Sequence, residues 1–123
     1  MDFQPTKAIY LQIVDFVCEQ ILLKKWRVSE KILSVRELAI NLQVNPNTIV
    51  RAYAFLENLQ IITMQRGIGY FVTETAISHI IEFKKKEFLV VHLPQVFKSM
   101  DLLGINFSEI QQLYNQREKC NEN

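Results

Sequence analysis

Glycine and proline are scarce in this 123-residue chain, with three of each. That poverty excludes linker-like and collagen-like architectures and predicts long elements joined by short connections. Cysteine is equally sparse. Cys18 and Cys120 stand far apart and form no C-x-x-C pattern, which excludes a zinc ribbon and a dithiol redox site and fits two free thiols in a reducing compartment. The two histidines, His79 and His92, fit no metal-ligand spacing. No metal and no cofactor is therefore expected. Neither cysteine lies in a nucleophile signature, and no glycine-rich phosphate loop follows a strand, so an enzyme is not expected either. No apolar run approaches the roughly 20 residues that a membrane span requires. Met1-Asp2-Phe3 opens without the basic and apolar regions of a leader. The expectation is a soluble, cytoplasmic protein with no membrane partner.

Apolar residues make up 49% of the chain, enough for a substantial core. The net charge of +1 hides a mild asymmetry. Residues 1–73 hold eight Lys and Arg against six Asp and Glu (+2), and the remaining 50 hold six against seven (−1). This permits nucleic-acid binding without demanding it.

Ile9, Ile13, Val17 and Ile21 recur every four residues, with Tyr10 and Val14 beside them, and predict a helix over 8–24 with Thr6 as its N-cap after Pro5. Residues 25–33 break the pattern, and Trp26 is expected to pack into the first core, with an exposed stacking role as the alternative. Ser34-Val35-Arg36-Glu37 has the form of a capping box. It opens a short helix with Val35, Leu38, Ala39 and Leu42 inward. Asn45 is a good N-cap and Pro46 sits where its missing N–H costs nothing. The helix they start buries Ile49, Ala52, Tyr53 and Leu56 and leaves Asn47, Thr48, Val50 and Arg51 outward. Phe55 falls on the Thr48–Arg51 side, to pack on the hairpin or on the tail. Two short helices joined by a tight turn read as a helix-turn-helix. Strands over 61–65 and 70–73, joined by Arg66-Gly67-Ile68-Gly69, form a hairpin directly after it, the position of a wing.

From Glu74 the pattern is helical again. Ile77, Ile80, Ile81, Phe88 and Val91 keep helical spacing, and Ala76, Phe83 and Val90 repeat every seven. Pro94 is expected to kink or end this helix. Residues 95–103 continue to Gly104, a C-cap. Ser108-Glu109-Ile110-Gln111 reads as a further capping box that opens a last helix to about Arg117, with a frayed tail over 118–123. The fold class is mainly α with a small β-hairpin: a winged helix-turn-helix over 1–73, then a short helical dimerisation tail over 74–123. The tail carries two apolar faces. One can cover the winged helix, and the other, with Ile77, Ile81, Phe88, Val91 and Phe97, is suited to a second copy of the chain.

Ile9-Tyr10-Leu11-Gln12-Ile13, Ser34-Val35-Arg36-Glu37-Leu38-Ala39, Val44-Asn45-Pro46-Asn47-Thr48-Ile49-Val50-Arg51-Ala52-Tyr53, Leu56-Glu57 and Gly67-Ile68-Gly69-Tyr70-Phe71-Val72 together resemble the GntR family of bacterial regulators. The Asn-Pro-Asn-Thr turn and Arg-Ala-Tyr are most similar to its short YtrA-like branch. The resemblance implies a DNA-binding winged helix, a helical dimerisation tail, and repression of an operon, often one that encodes a transporter. The chain departs from the family at Lys24, Ser29 and Gln60, where glycine is frequent, at Leu33 for proline, and at Pro46 and Val50, where many members carry arginine.

The expected partner is a double-stranded DNA operator, bound by a homodimer. Arg36 matches a family phosphate contact; its alternatives are an intrahelical pair with Glu37 or a solvated side chain. Arg51 can reach phosphate or a guanine edge. Asn47 and Thr48 can reach base edges. Asn45 and Ser34 can contact DNA or serve only as caps. Arg66, Gly67 and Gly69 form the wing tip, which can approach a groove or be merely a turn; Gln65 and Tyr70 flank it. Lys84-Lys85-Lys86 reads as a solvated face. The tail junction offers a place for an unidentified small-molecule effector. The alternative function is a winged-helix protein-interaction module that does not bind DNA.

Overall fold

The computed structural model describes residues 3 and 6–118. In chain order it has α1 (Ile9–Leu22), α2 (Val35–Leu42), α3 (Pro46–Asn58), β1 (Ile62–Gln65), β2 (Gly69–Val72), α4 (Ala76–Glu87), a π-helical turn (Phe88–His92), α5 (Leu93–Leu103) and α6 (Phe107–Gln116). The chain divides into two compact units between Lys84 and Lys85. The first unit thus takes in most of α4, beyond the expected boundary at residue 73, because Ala76 and Ile80 are fully buried in its core.

The first unit is built on amphipathic helices. Ile13, Val14, Val17 and Ile21 of α1, Leu38 and Ala39 of α2, and Ile49, Ala52, Tyr53 and Leu56 of α3 form one core with Ile61, Ile62 and Val72. Each fully buried aliphatic side chain stabilises the fold by about 1.5–3 kcal/mol. Gln12 is the buried polar residue of the core, and its Nε2 donates to the Lys7 carbonyl at 2.8 Å. Trp26 is half-buried and packs edge-on against Phe16 at 6.1 Å. Cys18 is buried and forms no disulfide among the described residues; Cys120 lies outside the described residues, as does the tail after Glu118.

The helix starts follow local chemistry, with two corrections. Helix α1 begins at Ile9 with Ala8 as N-cap and no side-chain cap, so Thr6 does not cap it. Helix α6 is capped by Asn106, whose Oδ1 accepts from Glu109 N–H at 3.0 Å while Glu109 Oε2 accepts from Asn106 N–H at 3.0 Å. Ser108 is therefore inside the helix. Only Ile105 separates Asn106 from Gly104, which closes α5 in the left-handed region at φ 69°, and the nearer of two overlapping capping boxes makes the shorter turn.

The helix ends carry a recurrent feature. Lys24 (φ 61°), Gln43 (φ 58°) and Gln60 (φ 62°) close α1, α2 and α3 in the left-handed region. Behind them, the N–H groups of Lys25, Val44 and Ile61 donate to the carbonyls of Gln20, Ala39 and Leu56 at 2.9, 3.0 and 3.0 Å. These are Schellman turns with side-chain-bearing residues where glycine is least strained. Ser29 (φ 67°) is a fourth such residue.

β1 and β2 pair antiparallel with Ile62 opposite Val72 and Gln65 opposite Gly69. Gly69 thus belongs to β2 rather than to the turn. Residues 29–32, read from the sequence only as a break, pair with the other edge of β2. Ser29 N–H donates to the Val72 carbonyl, Val72 N–H to Glu30 and Ile32 N–H to Tyr70, at 2.8, 3.0 and 2.9 Å.

Pro94 does not end its helix. A π-helical turn over Phe88–His92 widens the backbone just before it, and α5 continues with Pro94 in its first turn. A proline removes one backbone donor and crowds the carbonyl four residues earlier, and a π turn relieves both. Among the described residues no single helix is long and apolar enough to cross a membrane.

Candidate nucleic-acid interface

Helix α3 has one face fixed and one free. Ile49, Ala52, Tyr53 and Leu56 are fully buried, and Asn47, Val50 and Arg51 are exposed on the other side. The N-terminus of α3 is held by Asn45, whose Oδ1 accepts from Asn47 N–H at 2.8 Å. Its C-terminal half is held by Tyr53, whose hydroxyl donates to the Leu33 carbonyl at 2.7 Å. Tyr53 also meets Tyr70 of the wing edge-on at 4.8 Å. Burial raises the pKa of both phenols, so both stay neutral at physiological pH. Tyr70 is consequently turned toward the body of the unit rather than set as a free flank of the wing tip.

Asn45, Asn47, Thr48 and Arg51 line one open depression of about 420 Å³, together with Ala8, Ile9 and Tyr10 from the start of α1. The structure thus brings four of the sequence-predicted residues together and adds Tyr10. The Arg51 Cζ stands 3.9 Å over the centre of the Tyr10 ring. The sequence sets Tyr10 beside the α1 core face and gives no sign of this role, because a contact between residues 41 positions apart leaves no local signal.

Ser34 and Arg36 lie at the start of α2, outside that depression. The Ser34 N–H donates to Glu37 Oε1 at 2.8 Å, and Ser34 Oγ accepts from Glu37 N–H at 3.1 Å. The Ser34 backbone N–H, and after it the Ser34 hydroxyl, stabilise the Glu37 carboxylate and lower its pKa. The Ser34 N–H is therefore engaged within the chain, and an outside acceptor would share the hydroxyl hydrogen with the Glu37 carboxylate. Arg36 is exposed and forms no ion pair among the described residues, Glu37 being turned to Ser34 instead.

The wing tip is a tight turn in which Ile68 N–H donates to the Gln65 carbonyl at 2.9 Å and Gly67 takes φ 78°. Arg66 and Gly67 are exposed. At Gly69 the constraint is the backbone, whose φ of 141° a side-chain-bearing residue rarely adopts; Lys31 Cε, 2.8 Å from where a Cβ would stand, is the movable end of a flexible side chain.

Phe55, Lys84 and His79 each have structural partners. Phe55 packs edge-on against Tyr10 at 6.1 Å and against Phe83 of α4 at 5.6 Å, not against the wing. In the lysine run, Lys84 pairs with Asp15, which also holds Lys7, while Lys85 and Lys86 are exposed. The His79 Nδ1–H donates to the Gln60 carbonyl at 3.1 Å. Among the described residues no group of three or more His, Cys, Asp or Glu side chains can hold a metal.

Comparison with known proteins places this arrangement. Residues 9–72 match the family described as bacterial regulatory proteins, gntR family. The chain is 39% identical over 108 residues to the uncharacterized HTH-type transcriptional regulator YhcF of Bacillus subtilis, covering 88% of each protein. It is 37% identical over 84 residues to the HTH-type transcriptional repressor YtrA of the same organism, covering 68% of this chain and 65% of YtrA. A crystal structure of a GntR-family regulator from Bacteroides thetaiotaomicron superimposes with a TM-score of 0.77 at 38% identity, covering 89% of this chain and 95% of that one. The family consists of transcription regulators rather than enzymes. With the helix-turn-helix, the wing and the match over both, the chain belongs to the GntR family and is a transcription regulator with a DNA-binding winged helix.

Proposed function

We propose that the protein is a homodimeric, cytoplasmic repressor that binds a double-stranded operator and shuts off an operon, such as one encoding a transporter. The observation that carries the reading is the division of α3 into a wholly buried face and an exposed face opening on Asn47, Thr48 and Arg51. A major groove admits such a helix. In this reading Arg51 meets a phosphate or a guanine edge, Asn47 and Thr48 meet base edges, and Arg36 and the Ser34 hydroxyl meet phosphates. Asn45 serves mainly as the cap that fixes the helix start. Arg66, Gly67 and Gly69 present the wing to a neighbouring groove, where the bare backbone at Gly67 allows close approach.

Support for a dimer comes from the tail. Ile81, Phe88, Val91 and Phe97 are 54, 49, 47 and 50% exposed, more apolar surface than a helical segment leaves to water without a partner. Ile77 differs: it is half-buried and packs on the core of its own chain. The repressor sense is supported by the relative named as a repressor.

The test is binding of the purified protein to the DNA upstream of its own gene at two salt concentrations, beside an Arg36→Ala/Arg51→Ala double variant. Tight binding that weakens steeply with salt through counterion release, and that the variant loses, supports the reading. Unchanged binding by the variant refutes the choice of residues. A folded dimer that binds no duplex at either salt favours a protein-interaction role for the same face.

A further inference from the structure

Arg51 is held without being satisfied. Its guanidinium stands 3.9 Å over the Tyr10 ring, and it makes no ion pair or hydrogen bond among the described residues. The distinction matters for a residue that reads DNA. A carboxylate partner would hold the arginine equally well, but it would take up its N–H donors and neutralise its charge. An aromatic face holds the cation through its quadrupole and accepts no conventional hydrogen bond, so all five donors stay available. A free arginine on an exposed helix face would instead spread over many rotamers and lose that freedom on binding.

The ring itself is fixed. Tyr10 is half-buried against the core. Phe55 meets it edge-on at an interplanar angle of 64°, and Phe83 meets Phe55 in turn at 69°. Tyr10 also lines the depression shared by Asn45, Asn47, Thr48 and Arg51. One end of this aromatic series, at Phe83, is thus packed against the core, and the other supports the cation on the outer face of α3.

We propose that Tyr10 is a positioning residue for specificity: it presents Arg51 in a preset orientation with its donors free, so that Arg51 discriminates a guanine edge rather than serving as a diffuse cation. The inference rests on the reading of Arg51 as a DNA contact. Tyr10 itself touches no base. Its hydroxyl is dispensable, since the support is supplied by the ring face.

The probe for the test is the duplex that the wild-type protein selects from a pool with a randomised core, together with its complete set of single base-pair substitutions. Five proteins are compared on this set at one salt concentration: wild type, Tyr10→Phe, Tyr10→Leu, Arg51→Ala and the Tyr10→Leu/Arg51→Ala double variant. The expected pattern is specific. Arg51→Ala loses discrimination at one guanine-containing pair by about tenfold or more, the scale of a bidentate contact. Tyr10→Leu loses most of the same discrimination at the same pair, Tyr10→Phe retains it, and the Tyr10→Leu/Arg51→Ala double variant is no worse than Arg51→Ala alone. A merely structural role for Tyr10 would weaken binding evenly across the set and leave the profile unchanged, which overturns the proposal. So would additive losses in the double variant. If Arg51→Ala itself leaves the profile intact, the reading of Arg51 fails and the proposal falls with it, an outcome distinguishable from failure of Tyr10 alone. Because Tyr10→Leu can unfold, the proton shifts of the Arg51 δ-methylene are compared in free wild type and Tyr10→Phe. Upfield ring-current shifts in both support the stack, and random-coil shifts in wild type overturn it.

Discussion

The hydroxyl of Tyr53 donates to the carbonyl of Leu33 at 2.7 Å, tying α3 to the backbone one residue before the cap of α2. Tyr53→Phe leaves that carbonyl without its partner, and the expected loss of stability is about 1–2 kcal/mol, read as a lower urea midpoint at unchanged slope. The pH dependence has a definite sign. The fold favours the neutral phenol, since its pKa is raised mainly by burial, so the contribution is complete below the ordinary tyrosine pKa of about 10 and is lost as pH climbs through the raised one. In an absorbance titration of the four tyrosines, Tyr53 should ionise only as the fold gives way, and Tyr53→Phe should remove that late step.

The left-handed helix ends predict stabilising substitutions. A residue with a Cβ is strained at Lys24, Ser29 and Gln60, with φ of 61, 67 and 62°, and glycine relieves the strain at some cost in unfolded-state entropy. Gln60→Gly is expected to raise stability by about 0.5–1 kcal/mol, with similar gains at the other two sites. In thermal unfolding each should add roughly 3–6 °C, and the sites are independent enough to sum. A lower melting temperature for Gln60→Gly would show that its side chain contributes more than the backbone strain removes.

Glu37 supplies an acid-side signature. Its pKa is lowered by the backbone and side-chain hydrogen bonds from Ser34, so its contribution is present above the ordinary glutamate pKa of about 4.3 and is lost as pH falls through the depressed value. Wild type and Glu37→Gln should therefore differ most above pH ~5 and converge as pH falls below the depressed value when urea midpoints are compared. A gap that stays constant across this range would mean that the carboxylate charge has no part in the cap.

The tail can be tested apart from the DNA face. Phe88 and Val91 are about half exposed and lie beyond the first compact unit. A Phe88→Glu/Val91→Glu variant should keep the melting transition of the first unit and elute with half the mass by light scattering. In the proposed dimer its affinity for an operator should drop roughly 10²-fold, because each protomer would then hold its half-site alone. A variant that stays dimeric would move the interface to another part of the tail.

How far the fold was legible depended on the distance over which each feature is encoded. The Ser34–Glu37 box, the Asn45 cap and the buried faces of α2 and α3 are set within four residues, and each appears where the sequence predicted it. Asn106 and Ser108 both satisfied the local rule, and the choice between them fell to the short turn after Gly104. The pairing of residues 29–32 with β2 was illegible, since its partners lie about 40 positions away and the segment has no alternation to betray it. The same is true of Tyr10 under Arg51. Among the site residues, type and face were readable; which donors are already engaged, as at Ser34 N–H, was not.

The double pairing of β2 alters what kind of object the wing is. A hairpin zipped only to itself is a flap that swings about its base. Here β2 is bonded along both edges, and the strand on its far side runs two residues later into the cap of α2. The wing tip and the start of α2 are thus two jaws of one calliper, with a fixed span between them. If both jaws close on a duplex, it is the DNA that must yield to match the gap. Sequences that bend or narrow easily would then be favoured at base pairs that no side chain touches.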